Sequence, residues 1–261
     1  MRSTRARALL QLAALVMTPA AALADGTASA WPDRLTFAPA NWSGLFVGMQ
    51  GGGARSDTGW TFPVDSYFTL EDGNRSMASQ PSGGIVGGHI TLNHQIGAFV
   101  IGAELALNGS FMDAQRIGPF TTLFANDRFE TEIENYGLLT ARLGYAIGDL
   151  LLYVDGGYAA GHVALTAVSG PPGAGVIGEI NQRLNGWTAG GGAEWMLAQN
   201  VALGIQYDFV RLSGETSSTQ TTGTPSTDPF IISSHDIDLH AVTARLSIKL
   251  DRPDAPAEAL K

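Results

Sequence analysis

Five histidines are the first side chains in this sequence that could bind a metal or act as a base: His89, His94, His162, His235 and His240. They fall in different parts of the chain and lack the close pairing of zinc ligands. A serine activated by His89 or His240 could attack a lipid ester. No serine, histidine and acid are spaced to form such a trio, so we predict separate polar or interfacial histidines, no metal site and no cofactor.

Two glutamates, Glu104 and Glu194, could form the paired acid and base that proton transfer uses. Arg142 belongs to the same charged pattern, and carboxylates beside an arginine are more typical of a structural ion-pair network. We therefore predict no catalytic residues. The chain contains no cysteine, which excludes disulfides, thiolate metal ligands and a cysteine nucleophile.

These charged residues lie in runs where apolar residues alternate with small or polar ones, the period of two that is typical of a β-strand. In one such run, Leu203, Ile205 and Tyr207 alternate with Gly204 and Gln206. The pattern occurs eight times along the chain. The predicted strands are 41–54, 82–93, 99–110, 135–146, 150–164, 184–196, 201–212 and 236–250.

The connections between these runs alternate between hairpin length and long segments rich in Ser, Thr, Asp, Pro and Gly. The short connections are 94–98, 147–149 and 197–200, and the long ones are 55–81, 111–134, 165–183 and 213–235. Outer-membrane barrels have tight turns at the periplasmic end and long loops at the external end. We therefore predict an all-β fold: an eight-stranded antiparallel up-and-down transmembrane β-barrel with three short periplasmic turns and four long external loops.

Each run has a charged face and a face that is nearly free of charge. A basic residue at the bilayer midplane costs about 2 to 4 kcal/mol, so the charge-free face is predicted to contact lipid. The charged face then lines the lumen, where four acids and three bases can pair and where glycines suit a narrow interior. The predicted lumen network is Glu104, Arg142, Asp155, Glu194, Asp208, Arg245 and Lys249.

Aromatic residues lie towards the ends of the runs, where the two membrane interfaces are expected. The predicted aromatic girdle is Trp42, Tyr145, Tyr153, Trp187, Trp195, Tyr207 and Phe209. The alternative fold is a soluble lipocalin-like barrel, in which the apolar face would form an internal calyx. The lack of charge on that face favours the membrane barrel, because a water-exposed face would carry Lys and Glu.

The N-terminus resembles a secretory signal: Arg2, Arg5 and Arg7 precede a short apolar run and small residues ending at Ala24. We expect cleavage after Ala24, or after Ala30 as an alternative. An N-terminal membrane anchor is disfavoured because the apolar run is short. The predicted organisation is a signal peptide at 1–24, a lead segment at 25–40, the barrel at 41–250 and a tail at 251–261.

Without the three leader arginines, 12 basic residues remain against 24 acidic ones, a net charge of −12. This charge repels polyanions, so no nucleic-acid partner is expected.

Five blocks resemble the porin-family outer-membrane β-barrel proteins, small surface antigens of Gram-negative bacteria. The blocks are NWSGLFVGMQGGGA, GGIVGGHITLNHQIGAFVIGAELAL, LTARLGYAIGDLLLYVDGGYAAG, NGWTAGGGAEWMLAQNVALGIQYDFVRL and HAVTARLSIKL. The resemblance covers 41–250 and implies an eight-stranded barrel in the cell outer membrane, with a structural or surface role. It also implies contact with outer-membrane lipid and lipopolysaccharide, and insertion by the barrel-assembly machinery. Glu104, Arg142 and Glu194 match the family's inward charged positions.

The sequence departs from the family pattern at two places. Gln206 stands where the family usually has glutamate, and the last strand ends in Leu250 rather than an aromatic residue. We expect an internal assembly signal ending at Leu250. The predicted function is non-enzymatic: envelope integrity and display of surface loops, around a narrow lumen filled by side chains. The alternatives are a loop-mediated receptor or adhesin and a soluble ligand carrier, and the sequence names no ligand.

Overall fold

A computed structural model describes residues 40–63, 75–119, 126–170, 175–220 and 229–250, and every regular element in these ranges is a β-strand. The strands are β1 (Gly44–Phe62), β2 (Arg75–Ser79), β3 (Ser82–Ile96), β4 (Phe99–Ile117), β5 (Arg128–Ile147), β6 (Leu150–Val168), β7 (Val176–Ala198), β8 (Val201–Leu212), β9 (Thr216–Gln220), β10 (Pro229–Ser234) and β11 (Ile237–Lys249). In these ranges no helix is long and apolar enough to cross a membrane. The predicted signal peptide, the tail and all of the lead segment except Ala40 lie outside the described residues.

Eight of the strands form one closed antiparallel sheet in the order β1, β3, β4, β5, β6, β7, β8, β11. Strand β11 returns to pair with β1, from Phe46 opposite Lys249 to Asp57 opposite Asp238. Closure gives each of these strands a partner on both sides, so their backbone groups are satisfied without water. The remaining strands, β2, β9 and β10, lie in the external connections.

Turns of two residues join β3 to β4, β5 to β6 and β7 to β8. Gly97 and Gly148 begin two of these turns with φ angles of +62° and +61°. Glycine adopts this left-handed conformation without the steric cost of a Cβ atom. The predicted tight end of the barrel is therefore built by turns that suit antiparallel hairpins.

The strands extend further at the other end than the sequence predicted. Strand β7 has 23 residues, whereas about 9 to 11 cross a bilayer. Parts of the segments predicted as loops are continued strand, because buried residues still alternate with more exposed ones. The buried residues are Ser56, Thr58, Trp60 and Phe62 in β1 and Phe129, Thr131 and Ile133 in β5. In β5 a β-bulge between Ile133 and Asn135 places Glu134 and Asn135 on the same outer side, which hid the alternation.

The interior is filled by side chains in three layers. An apolar cluster fills the end nearest the turns: Trp42, Phe46, Val100, Leu151, Tyr153, Met196 and Ala202. A polar layer follows, and a larger apolar cluster fills the external end, including Trp60, Phe62, Met112, Phe129, Phe230 and Ile232. The outward side chains of the half nearest the turns are apolar and exposed, among them Val47, Ile90, Leu105, Leu139, Val154, Leu203, Val242 and Ile248.

This arrangement has the charged residues inside and an apolar surface outside. A soluble barrel with an apolar calyx would have the opposite faces. The faces of the described strands are therefore not arranged as the alternative, a lipocalin-like carrier, would require.

Candidate functional site

The centre of the polar layer is a set of ion pairs that joins β11 to β4, β5 to β7, and the neighbouring strands β4 and β5. The Arg245 guanidinium of β11 donates to Glu104 of β4 at 2.7 Å. Arg142 of β5 donates to Glu194 of β7 at 3.0 Å and to Glu104 at 3.4 Å. All four residues are at least 95% buried, so each charge depends on its partners in place of water.

A hydrogen-bonded chain extends from this centre along β6 and β8. Arg245 donates to the Tyr153 hydroxyl at 3.1 Å, and that hydroxyl donates to Gln206 Oε1 at 2.9 Å. The Gln206 amide in turn donates to Asp208 at 2.7 Å and to Asp155 at 3.3 Å. Tyr153 also lies beneath Arg142, whose guanidinium carbon is 3.7 Å from the ring centroid.

The structure therefore brings together six of the seven predicted lumen residues and leaves one apart. Lys249 lies beyond the lower apolar layer, near the turns, where its Nζ donates to the Asn41 carbonyl at 3.0 Å. It follows the inward alternation of β11, but it is the last residue of that strand and therefore lies at the rim.

Two members of the predicted girdle are wrong. Trp42 is fully buried and stacks on Phe46 inside the lower apolar layer, with ring centroids 6.3 Å apart. Tyr153 is 5% exposed and faces the lumen. Tyr153 is two residues from Asp155 on β6, so the alternation that places Asp155 inside must place Tyr153 inside as well.

The other predicted girdle residues lie on the outer surface. Tyr145 makes an edge contact with Phe99 near the turns, at a centroid distance of 5.4 Å, and Trp195 is exposed nearby. At the opposite edge of the apolar band, Trp187 packs on Phe209 at 5.3 Å. The Tyr207 hydroxyl lies 2.8 Å from His240 Nδ1.

Sequence reasoning missed several polar members of the layer. Gln50 donates to Asn108 at 2.7 Å, and Thr91 donates to Glu104 at 2.7 Å. His89 Nε2 lies 2.9 Å from the Ser247 hydroxyl. These residues lie on the inward face that strand alternation predicts, but they are uncharged, and the predicted network contains only charged side chains.

Beyond the apolar band, Arg211 of β8 and Asp238 of β11 form a two-pronged ion pair with both N···O distances at 2.6 Å. The hydrogen bonds from Arg211 hold the pKa of Asp238 below its usual value. Arg211 also lies over Phe209, 5.7 Å from the ring centroid. The pair links the external ends of the neighbouring strands β8 and β11.

The arrangement offers little catalytic chemistry in the described part of the chain. His89 and Ser247 could form a base and nucleophile, but both are at least 97% buried and His89 Nδ1 has no hydrogen-bond partner to orient the ring. No group of three or more His, Cys, Asp or Glu side chains in the described ranges is placed to hold a metal ion. What the layer does provide is cross-strand ion pairs and hydrogen bonds.

Comparisons with known proteins give one family. The model of the outer membrane protein β-barrel domain matches residues 10–246. The 31 kDa outer-membrane immunogenic protein of Brucella melitensis is 31% identical over 212 residues, covering 78% of this chain and 85% of the relative. The Brucella suis protein of the same name matches equally well.

Similar solved structures include two outer membrane proteins that share little sequence with this chain. The outer membrane protein OprG from Pseudomonas aeruginosa is 10% identical, with 78% of this chain and 96% of that chain covered and a TM-score of 0.43. The outer membrane protease OmpT from Escherichia coli is 13% identical, with 84% and 99% covered and a TM-score of 0.43.

Proposed function

The chain belongs to the family of outer membrane β-barrel proteins, and on that premise we propose that it is a non-enzymatic, non-conducting barrel that strengthens the envelope and holds loops above the surface. It resides in the cell outer membrane and is a homologue of an outer-membrane surface antigen.

The observation that supports a non-conducting barrel is the layered interior. A hydrated ion entering from the turn side meets Trp42 and Phe46, and one entering from outside meets Trp60, Phe62 and Phe129, all at most 2% exposed. Ions cross apolar constrictions poorly because their hydration is lost without replacement. The polar layer between these clusters therefore serves to brace the barrel.

The ion pairs support the structural role. Arg245 and Glu104 are 141 residues apart in the chain, and Arg142 and Glu194 are 52 apart, so these contacts join strands that are distant in sequence. Removing one partner of a buried pair leaves an uncompensated charge, typically at a cost of about 3 to 5 kcal/mol. An internal brace of this kind resists deformation of the wall.

Contact with lipid and lipopolysaccharide is supported by the outer surface. The exposed apolar band gives way at its external edge to Trp187, Phe209 and the pair of Arg211 with Asp238. Aromatic and charged side chains at this level suit the headgroup region of a bilayer.

We assign recognition by the barrel-assembly machinery to the last strand, β11. Its outward residues include Leu246 and Ile248, and Leu250 follows it.

A second candidate, a surface receptor or adhesin, is favoured by the length of the strands. The external ends of β5, β6 and β7 continue about eight residues beyond the apolar band, which raises the attached loops by roughly 20 Å at the rise and tilt of barrel strands. Loops held on a rigid wall are common sites of binding. Replacing the segment 120–125, which lies between β4 and β5, by a Gly-Ser linker would test this role by loss of cell adhesion in a strain that keeps normal barrel levels.

Conductance in planar lipid bilayers tests the primary proposal. Protein whose folded state is first verified by its boiled and unboiled gel mobility should insert without opening steps. Stable steps from the wild-type chain would overturn the non-conducting role. As a positive control, the variant Trp42→Ala/Phe46→Ala thins the lower layer, and any leakage should increase in this variant first.

A further inference from the structure

A shallow groove crosses the outer surface of the barrel near the external edge of the apolar band, where β11, β1, β3 and β4 lie side by side. Its floor consists of outward glycines: Gly51 and Gly53 of β1, and Gly84 of β3, which pairs with Gly53. A Cβ atom on any of the three would meet no atom closer than 3.6 Å. Val242 of β11, the other partner of Gly53, forms one wall, and Phe111 of β4 forms the opposite wall, with its Cδ2 4.0 Å from the Cβ position of Gly84. The groove therefore has a floor of bare backbone between two apolar side chains.

Two side chains with nitrogen donors lie at the external end of this groove. Arg55 follows Gly53 by two residues on the outward face of β1, and His240 precedes Val242 by two residues on β11. Arg55 and His240 are direct cross-strand partners. The Cβ atoms of such partners are about 4.5 to 5.5 Å apart, so both side chains can reach the same ligand group.

The guanidinium of Arg55 is available to a ligand. Its side chain is 70% exposed, and its ion pair with Asp57 has an N···O distance of 3.8 Å, which is too long for a hydrogen bond. Asp57 also accepts a hydrogen bond of 2.8 Å from the Gln80 amide. A guanidinium has five N–H donors in a fork that matches the oxygens of a phosphate group. Among the described residues, Arg55 uses none of these donors in a hydrogen bond.

The ring of His240 is held in a defined orientation beside Arg55. Its Nδ1 lies 2.8 Å from the Tyr207 hydroxyl, and its centroid lies 5.2 Å from that of Phe209. When the hydroxyl donates to Nδ1, the ring proton is on Nε2, which has no partner in the described part of the chain and is free to donate to a ligand. The nearby Asp238 carboxylate is balanced by its two-pronged pair with Arg211. Asp238 therefore adds little repulsion to an anion bound at Arg55.

The level of these groups in the membrane indicates a lipid ligand. The groove lies in the apolar band, and Arg55 and His240 lie at the height of the aromatic side chain Phe209, which pairs with His240 across β8 and β11. An acyl chain in the groove would therefore place its headgroup at the two nitrogen donors. A phosphate monoester, as in lipopolysaccharide, carries more negative charge and one more terminal oxygen than the phosphodiester of a phospholipid. The monoester is thus the better ligand for two converging donors.

We propose that Arg55 and His240 bind a phosphate group of one lipopolysaccharide molecule in the outer leaflet, and that one of its acyl chains lies in the groove over Gly53 and Gly84. This inference rests on the proposed contact between the outer surface and lipopolysaccharide. It assigns that contact to one side of the barrel and to one chemical group of the lipid.

The experiment measures binding of lipid A, the acylated and phosphorylated anchor of lipopolysaccharide, and of lipid A from which the phosphates have been removed. The mature chain is refolded in maltoside micelles, which contain no phosphate, and its folded state is confirmed by its gel mobility without heating. Native mass spectrometry then counts the lipid molecules retained by each folded chain. We expect one lipid A per chain and an affinity for the dephosphorylated form that is lower by about tenfold or more, because charge-assisted hydrogen bonds are lost.

Three variants decide whether the lipid is bound at this site. Arg55→Gln and His240→Gln should each weaken binding of lipid A by about tenfold and should leave binding of the dephosphorylated form unchanged. Gly53→Val fills the groove without a clash, since its Cβ meets no atom closer than 3.9 Å, and it should weaken binding of both forms. The control Arg183→Gln removes an exposed arginine of β7 and should keep the wild-type affinity. If Gly53→Val does not refold, the two substitutions of exposed polar side chains provide the comparison.

Three results would overturn the proposal. The first is equal affinity of the wild-type chain for both forms of lipid A, and the second is a loss in Arg183→Gln as large as that in Arg55→Gln, which would indicate unspecific attraction by external charge. The third is retention of phosphatidylglycerol as tight as that of lipid A, which would assign the site to a phospholipid. None of these results bears on the non-conducting role, which would fail separately, by channel openings in a chain that still binds lipid A.

Discussion

Arg245 and Glu104 meet across the lumen at 2.7 Å although β11 and β4 are not neighbours in the sheet. Neighbouring strands are fixed by their backbone hydrogen bonds. This pair instead fixes strands on different sides of the barrel, and it does so through two side chains that are at most 5% exposed.

The pair should therefore contribute far more to stability than a surface charge does. Arg245→Met leaves Glu104 with only Arg142 and Thr91, and we expect a loss of about 3 to 5 kcal/mol. Unfolding in urea, followed by the loss of the fast-migrating gel band, measures it. Arg183→Met on the exposed side of β7 is the control and should change the unfolding free energy by no more than about 1 kcal/mol.

A double variant tests whether the two residues act on each other. Arg245→Met/Glu104→Gln should cost clearly less than the sum of the two single changes, because the second substitution removes the charge that the first left unpaired. Simple additivity of the two losses would show that the contact does not contribute to stability.

The inward glycines should tolerate a methyl group less well than the outward ones. At Gly192 a Cβ would lie 2.6 Å from the Tyr153 hydroxyl and would also collide with the Ile205 carbonyl. Gly192→Ala is expected to cost about 1 to 3 kcal/mol. Gly109→Ala is the matched control, because its Cβ meets no atom closer than the Val86 carbonyl at 3.7 Å. Equal yields of folded protein from both variants would contradict the narrow lumen.

The tryptophans should separate into two groups in lipid. In variants that keep one tryptophan each, brominated lipid chains should quench Trp187 and Trp195, which are 47% and 60% exposed on the outer surface. Trp42 is enclosed in the lower apolar layer and should be quenched weakly. Quenching of Trp42 as strong as that of Trp195 would show that Trp42 faces lipid and belongs to the aromatic girdle.

The pair of Arg211 with Asp238, at the external edge of the apolar band, predicts a pH dependence of stability. Hydrogen bonds from Arg211 lower the pKa of Asp238, so the stability that the pair adds is complete above the usual aspartate pKa. It is lost as the pH falls through the lowered pKa. Arg211→Gln should raise the titration midpoint of Asp238, measured by NMR of labelled aspartate, whereas Arg183→Gln should leave it unchanged.

Strand alternation predicted the fold and most of the inner face. The period of two identified all eight barrel strands and put Glu104, Arg142 and Glu194 on one side. The same rule, applied to every residue, would have placed Trp42 and Tyr153 inside as well. Residue type alone predicts the opposite for these two residues, because aromatic side chains near strand ends are usually interfacial.

Other features depend on information that a single sequence does not contain. Whether Arg142 meets Glu104, Glu194 or its own cross-strand neighbour Asp155 depends on the stagger between strands, which is set by closure of the sheet. The bulge at Glu134 reverses the alternation within β5, so the predicted strand begins only at residue 135. The stagger also determines the three layers of the interior. Residues at the same height along the barrel axis come from different positions in their strands, so the sequence pattern does not show which of them share a layer.

Pairing between the first and the last strand of the barrel has a consequence for how the chain folds. The hydrogen bond from Lys249 to Asn41 spans 208 residues, and the ladder of β1 with β11 is almost as distant in sequence. Such a topology has a very high contact order, so folding is expected to be slow. Until the C-terminal strand has been synthesised and exported, β1 and β8 expose edges that can pair with other chains. The nearly complete polypeptide must therefore be kept from aggregating until β11 is available to close the barrel.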